Sequence, residues 1–245
     1  MIAEKEGDRI VLYADNNEYC TVSVQLTLSL DNLIADESFD HIYIIPQGNK
    51  IKLVELSRIK KGRTGYAYDY KAVFGNVHQT NYDRNYVYDL PYKKGSNFRI
   101  DQGYNGQFTH QNENALDFNM PEGTNVKAAR SGIVIAVVQQ YSESCLREEC
   151  KQMANHILIL HSDGTIADYS HLRHNGALVQ PGDSVNKGDP IALSGNTGYT
   201  RGPHLHFICF LPGIDTRRGI KTKFRTGNGT TASYLVEDGW YKRNY

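Results

Sequence analysis

Apolar and polar residues alternate at every second position over residues 1 to about 90 of the chain. Segments 21–28 and 42–45 show this alternation, and polar turn segments such as 47–50 separate them. Period-two alternation predicts strands with one buried face, and short strands between frequent turns are typical of a small antiparallel sandwich. We therefore expect residues 1–95 to form a small N-terminal β-sandwich-like domain.

Residues 96–245 are again strand-rich but contain more glycine. Apolar runs predict buried strands at 133–138, 157–160 and 205–210. Further short strands are expected near the C-terminus, at 221–224 and 233–236. The polar segment 139–154 predicts a surface excursion with a short helix, and segment 89–96 (DLPYKKGS) predicts a linker. The chain is thus expected to be mainly β, with an antiparallel β domain over residues 96–245.

Composition and charge narrow the classes of function. Lysine plus arginine equals aspartate plus glutamate, at 27 each, so no net charge attracts the chain to nucleic acid or to an anionic membrane. No apolar run approaches the roughly 18 residues of a membrane span. We expect a globular monomer that has no nucleic-acid partner and does not span a membrane.

The cysteines and the N-terminus bear on the compartment. None of the four cysteines forms a CxxC pair, which argues against a structural zinc site. Cys145 and Cys150 lie in one polar segment, where a disulfide and two reduced thiols are both consistent with the sequence. The first residues contain no apolar signal segment, which fits either a cytosolic protein or one whose signal peptide has been removed.

A histidine pair gives the strongest chemical signal. His204 and His206 are two residues apart in an apolar run, so a strand would place both imidazoles on one face and turn Leu205 and Phe207 to the core. Two imidazoles on one face can form half of a metal site, or pair one ligand with one proton-transfer group. A solvent-facing pair on an exposed strand is the alternative.

A carboxylate adds to this signal. Asp117 lies within the apolar run Ala-Leu-Asp-Phe, and an unpaired buried carboxylate is costly. Coordination to a metal would offset this cost, as would a salt bridge or a turn cap. His110 precedes it by seven residues. Histidine nitrogens with one carboxylate oxygen suit zinc, and three protein ligands leave a fourth position open for water.

From residue 102 to about 210 the sequence resembles the lysostaphin-type (LytM-type) zinc metalloendopeptidases, which hydrolyse peptidoglycan. The resemblance rests on six ordered blocks: 110–124 (HQNENALDFNMPEGT), 128–134 (AARSGIV), 169–172 (YSHL), 182–188 (GDSVNKG), 194–198 (SGNTG) and 202–207 (GPHLHF). It implies a lysostaphin-type fold for residues 96–245 and one Zn²⁺ per chain. The β-rich region before the domain resembles that of some members only weakly.

The resemblance also implies the role of each site residue. His110, Asp117 and His206 match the zinc ligands. His171 and His204 match two catalytic histidines that do not bind the metal but activate water and stabilise the tetrahedral intermediate. Many members carry histidine four residues before the aspartate, where this chain has Glu113, so Glu113 is the alternative ligand to His110.

The implied substrate is the peptide of peptidoglycan. The family cleaves either glycine-rich bridges or D-Ala–meso-diaminopimelate cross-links, and the Ala-Leu-Asp-Phe variant favours the second. Such an enzyme would act in the periplasm or be secreted. The alternative function is a zinc-binding regulatory or interaction module that controls another wall hydrolase, for example one whose groove is blocked by the N-terminal region.

Overall fold

The computed structural model describes residues 1–245, which divide into two compact units. The first contains Met1–Gln79 with Pro212–Arg217, and the second contains Thr80–Leu211 with Arg218–Tyr245. The chain is almost entirely β, as its alternation predicts. None of its helices is long and apolar enough to span a bilayer.

The first unit consists of two antiparallel sheets with a common core. Its strands are β1 (Ile2–Glu6), β2 (Arg9–Asp15), β3 (Val22–Asp31), β4 (Leu33–Ala35), β5 (Ile42–Ile45), β6 (Lys50–Arg58) and β7 (Gly65–Phe74). The sheets have the orders β1-β2-β6-β4 and β5-β3-β7. Leu12 and Leu53 of the first sheet and Val24 and Ile45 of the second are buried in one cluster, as expected for a small sandwich.

The second unit is built from short strands and a single 3₁₀ helix. Its strands are β8 (Val87–Tyr88), β9 (Asn97–Gln102), β10 (Ala115–Phe118), β11 (Asn125–Lys127), β12 (Gly132–Val138), β13 (Ser144–Cys145), β14 (His156–Leu160), β15 (Ile166–Ser170), β16 (Leu172–Ala177), β17 (Ser184–Val185), β18 (Pro190–Ser194), β19 (Gly198–Tyr199), β20 (Leu205–Leu211), β21 (Arg218–Ile220), β22 (Lys223–Thr226), β23 (Thr231–Ser233) and β24 (Trp240–Lys242). The helix, Glu148–Met153, lies in the predicted excursion. Of the two predicted C-terminal strands, the first is observed close to its position, while 233–236 is replaced by an earlier strand that ends at Ser233.

A nine-stranded antiparallel sheet organises this unit. Its order is β17-β12-β14-β15-β20-β10-β9-β24, and β21 pairs with β20. Three smaller sheets have the orders β11-β18-β16, β13-β19 and β23-β22-β8, and the pairs β13/β19 and β22/β8 are parallel. The central strands β10 and β20 therefore lie side by side, which determines the position of the candidate site.

An aromatic cluster packs beneath β10 and β20. Phe118, Tyr169, Phe207 and Phe224 are buried, with neighbouring ring centroids 5.1 to 6.0 Å apart in edge-to-face arrangements. Such ring pairs contribute about 0.5–1.5 kcal/mol beyond their burial. Because Phe118 and Phe207 adjoin Asp117 and His206 in sequence, this core fixes the strands that carry the polar side chains on the opposite face.

Segment 89–96, predicted as a linker, lies instead within the second unit. Leu90 and Tyr92 are fully buried, and the Arg243 side chain donates hydrogen bonds to both of their carbonyl oxygens, at 3.1 and 2.6 Å. The second unit begins at Thr80, before the expected boundary at residue 95. The polar composition of the segment misleads because its two apolar side chains are two residues apart and are buried together.

Candidate metal centre

The register of β10 and β20 brings together two of the predicted ligands. Asp117 pairs directly with His206 across the two antiparallel strands, so both side chains leave the same face of the sheet. Asp117 Oδ1 lies 2.9 Å from His206 Nδ1. The neighbouring pair, Leu116 and Phe207, is buried on the other face, as the alternation in the sequence predicts.

His110 approaches the pair from the loop before β10. Its Nε2 atom lies 3.2 Å from Asp117 Oδ1 and 3.3 Å from His206 Nδ1, and the side chain is buried. Its Nδ1 atom is 3.0 Å from the Gly103 carbonyl oxygen, to which it donates in the tautomer that leaves Nε2 free. The converging group contains His110 but not Glu113, whose backbone amide instead closes a turn onto the His110 carbonyl oxygen.

The spacing of these three atoms fits a tetrahedral metal. Ligand bonds of about 2.0–2.1 Å to zinc place neighbouring ligand atoms roughly 3.3–3.4 Å apart in a tetrahedron. The observed separations of 2.9, 3.2 and 3.3 Å are close to this value. A metal-ligating histidine usually donates a hydrogen bond from its other ring nitrogen, which fixes its tautomer. The Gly103 carbonyl oxygen accepts such a bond from Nδ1 of His110.

These contacts shift the pKa values of Asp117 and His110. Burial favours the neutral form of Asp117, but hydrogen bonds from His110 and His206 outweigh it and hold the pKa of the carboxyl well below its usual range. Burial opposes charge on His110, yet its hydrogen bond to Asp117 gives a net rise in the pKa of that imidazole.

His171 lies beside the three converging side chains in an unusual backbone conformation. Its φ of 62° is in the left-handed region, which non-glycine residues seldom adopt and which is often found at functional sites. Its Nδ1 atom donates to the Thr197 carbonyl oxygen at 2.7 Å. Burial lowers the pKa of His171, and the facing rings of His204 and His206 lower it further, to about 3. The ring is therefore neutral near pH 7, with an acceptor at Nε2.

His204 occupies the other flank of the group. Its Nδ1 atom lies 2.9 Å from the Gly202 carbonyl oxygen and 3.2 Å from Thr200 Oγ1. Its Nε2 atom lies 3.7 Å from Asp117 Oδ1, and its ring centroid lies 4.5 Å from that of His171. The two histidines predicted not to bind metal thus face each other beside the three predicted ligands.

Gln102 supports the group and carries no sequence signal of this role. It stands opposite Asp117 in the register of β9 and β10. Its Nε2 atom donates to Asp117 Oδ2 at 3.1 Å and to Thr109 Oγ1 at 2.7 Å, while its Oε1 atom accepts from the backbone amides of Phe108 and Thr109. One amide side chain therefore orients the carboxylate and also shapes the loop that carries His110.

The remaining histidines of this unit lie apart from the group. His161 is buried with its Nδ1 atom 3.0 Å from the Ser131 carbonyl oxygen. His174 is exposed. His156 is only partly exposed, and its Nδ1 atom lies 3.2 Å from the Ala154 carbonyl oxygen.

A disulfide joins Cys145 to Cys150, so the alternative of two reduced thiols is excluded here. The bond closes a small loop that includes the start of the 3₁₀ helix. Next to it, β13 pairs with β19, which places Cys145 opposite Tyr199 in the loop before the histidine strand. The disulfide-closed loop therefore adjoins the segment that leads into the histidine strand.

Comparison with known proteins shows which proteins this chain resembles. Residues 111–213 match the family described as Peptidase family M23. The chain is 34% identical to the peptidoglycan DD-endopeptidase ShyA of Vibrio cholerae serotype O1 over 100 residues, 41% of this chain and 20% of that protein. It is 37% identical to lysostaphin of Staphylococcus staphylolyticus over 130 residues, 52% of this chain and 22% of that protein. The matches thus cover about a fifth of these curated relatives.

Among solved structures, a zinc-containing peptidase from Vibrio cholerae is 25% identical, with a TM-score of 0.40 over 72% of this chain and 51% of that one. The family match includes four of the five predicted site residues and begins one position after His110. Residues 111–213 therefore form a domain of peptidase family M23, a family of metallopeptidases.

Proposed function

We propose that this chain is a zinc-dependent endopeptidase that hydrolyses peptide cross-links of bacterial peptidoglycan. One zinc ion per chain would be held by His110 Nε2, Asp117 Oδ1 and His206 Nδ1. The observation that carries the proposal is the convergence of these atoms within 3.3 Å of one another, beside two further imidazoles. Three protein ligands leave one position open, which is the arrangement of catalytic rather than structural zinc sites.

In this proposal His171 is the general base. Zinc, when bound, polarises the scissile carbonyl and lowers the pKa of water towards neutrality. Because Nδ1 of His171 donates to the Thr197 carbonyl, its lone pair is at Nε2 and can accept a proton from the attacking water. The lowered pKa of His171 keeps this acceptor neutral at physiological pH.

His204 has a complementary role in the same step. Its Nδ1 atom is occupied by the Gly202 carbonyl and by Thr200, so its other nitrogen is turned towards the group. From there Nε2, when protonated, can donate a hydrogen bond to the developing oxyanion or a proton to the leaving amine. Since the His171 and His204 rings are 4.5 Å apart, one transition state can use both.

The proposed substrate is the D-Ala–meso-diaminopimelate cross-link, cleaved in the periplasm or outside the cell by a monomer. Relatives named as peptidoglycan DD-endopeptidases support a substrate bond that joins two D-configured residues. A relative named lysostaphin also matches. The Cys145–Cys150 disulfide supports an oxidising compartment.

Digestion of purified cross-linked muropeptides, followed by mass spectrometry, tests the proposal. The full chain is assayed as isolated, after treatment with a chelator, and after zinc is added back, with His206→Ala as the matched inactive control. We expect new amine and carboxyl ends at the D-Ala–diaminopimelate bond, loss of cleavage with chelator, and recovery with zinc.

Each other outcome has a defined meaning. Cleavage of glycine-bridged substrates alone would support the proposed endopeptidase activity but overturn the proposed D-Ala–meso-diaminopimelate substrate. A chain that binds zinc fully but cleaves neither cross-link would overturn the enzyme and favour the regulatory module.

A further inference from the structure

A cation stacked on an exposed aromatic ring lies next to the metal centre. The Arg201 guanidinium carbon is 3.7 Å from the centroid of the Phe108 ring, which is 47% exposed. The Tyr199 ring lies against the same phenylalanine, with centroids 6.5 Å apart and planes only 27° from parallel. Arg201 is exposed and forms no ion pair with a carboxylate of the chain.

Both sides of this stack are anchored to the candidate site. Arg201 lies between Thr200 and Gly202, and both of these neighbours contact His204 Nδ1, at 3.2 and 2.9 Å. The Phe108 amide donates at 2.9 Å to Gln102, whose other amide atom contacts Asp117. The chain on both sides of Arg201 is thus held to His204, and the backbone of Phe108 is held through Gln102 to Asp117.

The two acidic side chains of the disulfide-closed loop each form an ion pair with a neighbouring basic residue. Glu148 pairs with Lys151 at 2.8 Å, and Glu149 pairs with Arg147 at 2.7 Å. The charge on Arg201 is therefore compensated only by the face of the Phe108 ring. A stacked guanidinium keeps its N–H edges free, and their fork matches a carboxylate with two parallel hydrogen bonds.

We propose that Arg201, supported by Phe108, forms a subsite for a free carboxylate that adjoins the scissile bond. This inference rests on the proposed function and deepens it. In a D-Ala–meso-diaminopimelate cross-link, the carbon that bears the scissile amide nitrogen also bears a free carboxylate, whereas a bond inside a glycine bridge has none. Arg201 therefore selects cross-links through the diamino acid, and amidation of its carboxylate weakens recognition.

Two muropeptide dimers that differ only at this carboxylate, free in one and a carboxamide in the other, test the subsite. We expect the wild-type chain to prefer the free carboxylate on the order of 10- to 100-fold in kcat/KM, the range of a charge-assisted hydrogen-bond pair. Arg201→Gln should bring this ratio close to one with zinc content intact, and Arg201→Lys, which keeps charge without the fork, should give an intermediate ratio.

Arg218→Gln, at an exposed arginine in β21, is the matched control and should keep the wild-type ratio. An Arg201→Gln variant that lost the same factor on both dimers would show that the stack only supports the loop, and an unchanged ratio would also overturn the subsite. Failure of the wild type to cleave either dimer would instead overturn the proposed function, so the two failures are distinguishable.

Discussion

Two clusters in the second unit each contain a buried histidine among polar side chains, His110 in one and His161 in the other. The clusters differ in what the ring nitrogens contact. In the candidate metal centre, His110, His171 and His204 each have Nδ1 on a backbone carbonyl. Nε2 of His110 and Nε2 of His204 lie 3.2 and 3.7 Å from Asp117 Oδ1. His161 is anchored in the same way, to the Ser131 carbonyl, but its Nε2 atom is buried without a hydrogen-bond partner.

The surroundings of His161 explain why that cluster is structural. Arg130 pairs with Asp163 at 2.8 Å, and Tyr88 exchanges a hydrogen bond with the Cys209 thiol at 3.3 Å. These groups satisfy one another and leave no set of atoms converging on one point. A carbonyl anchor therefore positions an imidazole in either cluster, while convergence of the second nitrogens distinguishes a metal site from a packed core.

Removal of a proposed zinc ligand should have the largest effect, because it removes the convergence that distinguishes the metal centre from the His161 cluster. His110→Ala deletes one of three converging atoms, so zinc affinity should fall by more than the roughly 10- to 100-fold that loss of a supporting residue costs. Cleavage should be lost with it. Metal analysis of the purified variant measures the first effect and the muropeptide assay the second.

Glu113→Ala is the matched control for this experiment, because it removes the alternative ligand. It should retain zinc. Full zinc in His110→Ala together with loss of zinc in Glu113→Ala would overturn the assignment of His110.

Changes at the two flanking histidines should separate the catalytic role of the metal centre from its binding of zinc. His171→Ala and His204→Ala should each retain zinc and lose about a hundred- to ten-thousand-fold in turnover, the usual contribution of general acid–base groups. The double variant should lose less than the product of the two, since both serve one transition state. Single-turnover assays with parallel metal analysis measure this.

His171→Asn is a useful companion, because asparagine accepts the positive φ of this position better than alanine does. Near-normal turnover in any of these variants with zinc in place would make that histidine structural.

The smallest expected effect concerns the pH dependence of stability and belongs to His161. Burial lowers the pKa of His161 to about 4, so between pH 6.5 and 4 the unfolded chain takes up a proton that the native chain does not. The contribution of the neutral His161 side chain to the free energy of unfolding is therefore fully present above about pH 6.5. It is lost as the pH falls, by up to about 1.4 kcal/mol per pH unit.

Urea unfolding of His161→Gln between pH 7 and 4.5 should show a shallower loss of stability than the wild type. His174→Gln, which removes an exposed imidazole, is the control and should follow the wild type. Parallel curves for the wild type and His161→Gln would mean that His161 does not contribute to the acid sensitivity.

Alternation in the sequence was sufficient for the parts of the site that lie on strands. It predicted that Leu205 and Phe207 face the core while His206 faces away, and that Asp117 lies in an apolar run that needs a polar partner; the structure agrees on both points. His110 was different, because it lies in a loop without periodicity and was assigned only by family resemblance.

Other features required long-range pairing that the sequence does not display. Gln102 supports Asp117 because β9 pairs with β10, yet no local pattern indicates which strands are neighbours. The segment with Leu90 and Tyr92 was misread as a linker for the same reason, since its burial depends on the distant Arg243. The disulfide was left open because bonding requires proximity in the fold as well as in sequence.

The direct pairing of Asp117 with His206 also constrains which changes of length the gene can tolerate. The two residues are separated by 89 positions, and the register between β10 and β20 alone makes them neighbours. A single-residue insertion or deletion inside either strand would reverse the facing of every following side chain and send one partner into the aromatic core. Length differences among natural homologues should therefore accumulate in the connecting loops, such as 139–154, and be absent from 115–118 and 205–207.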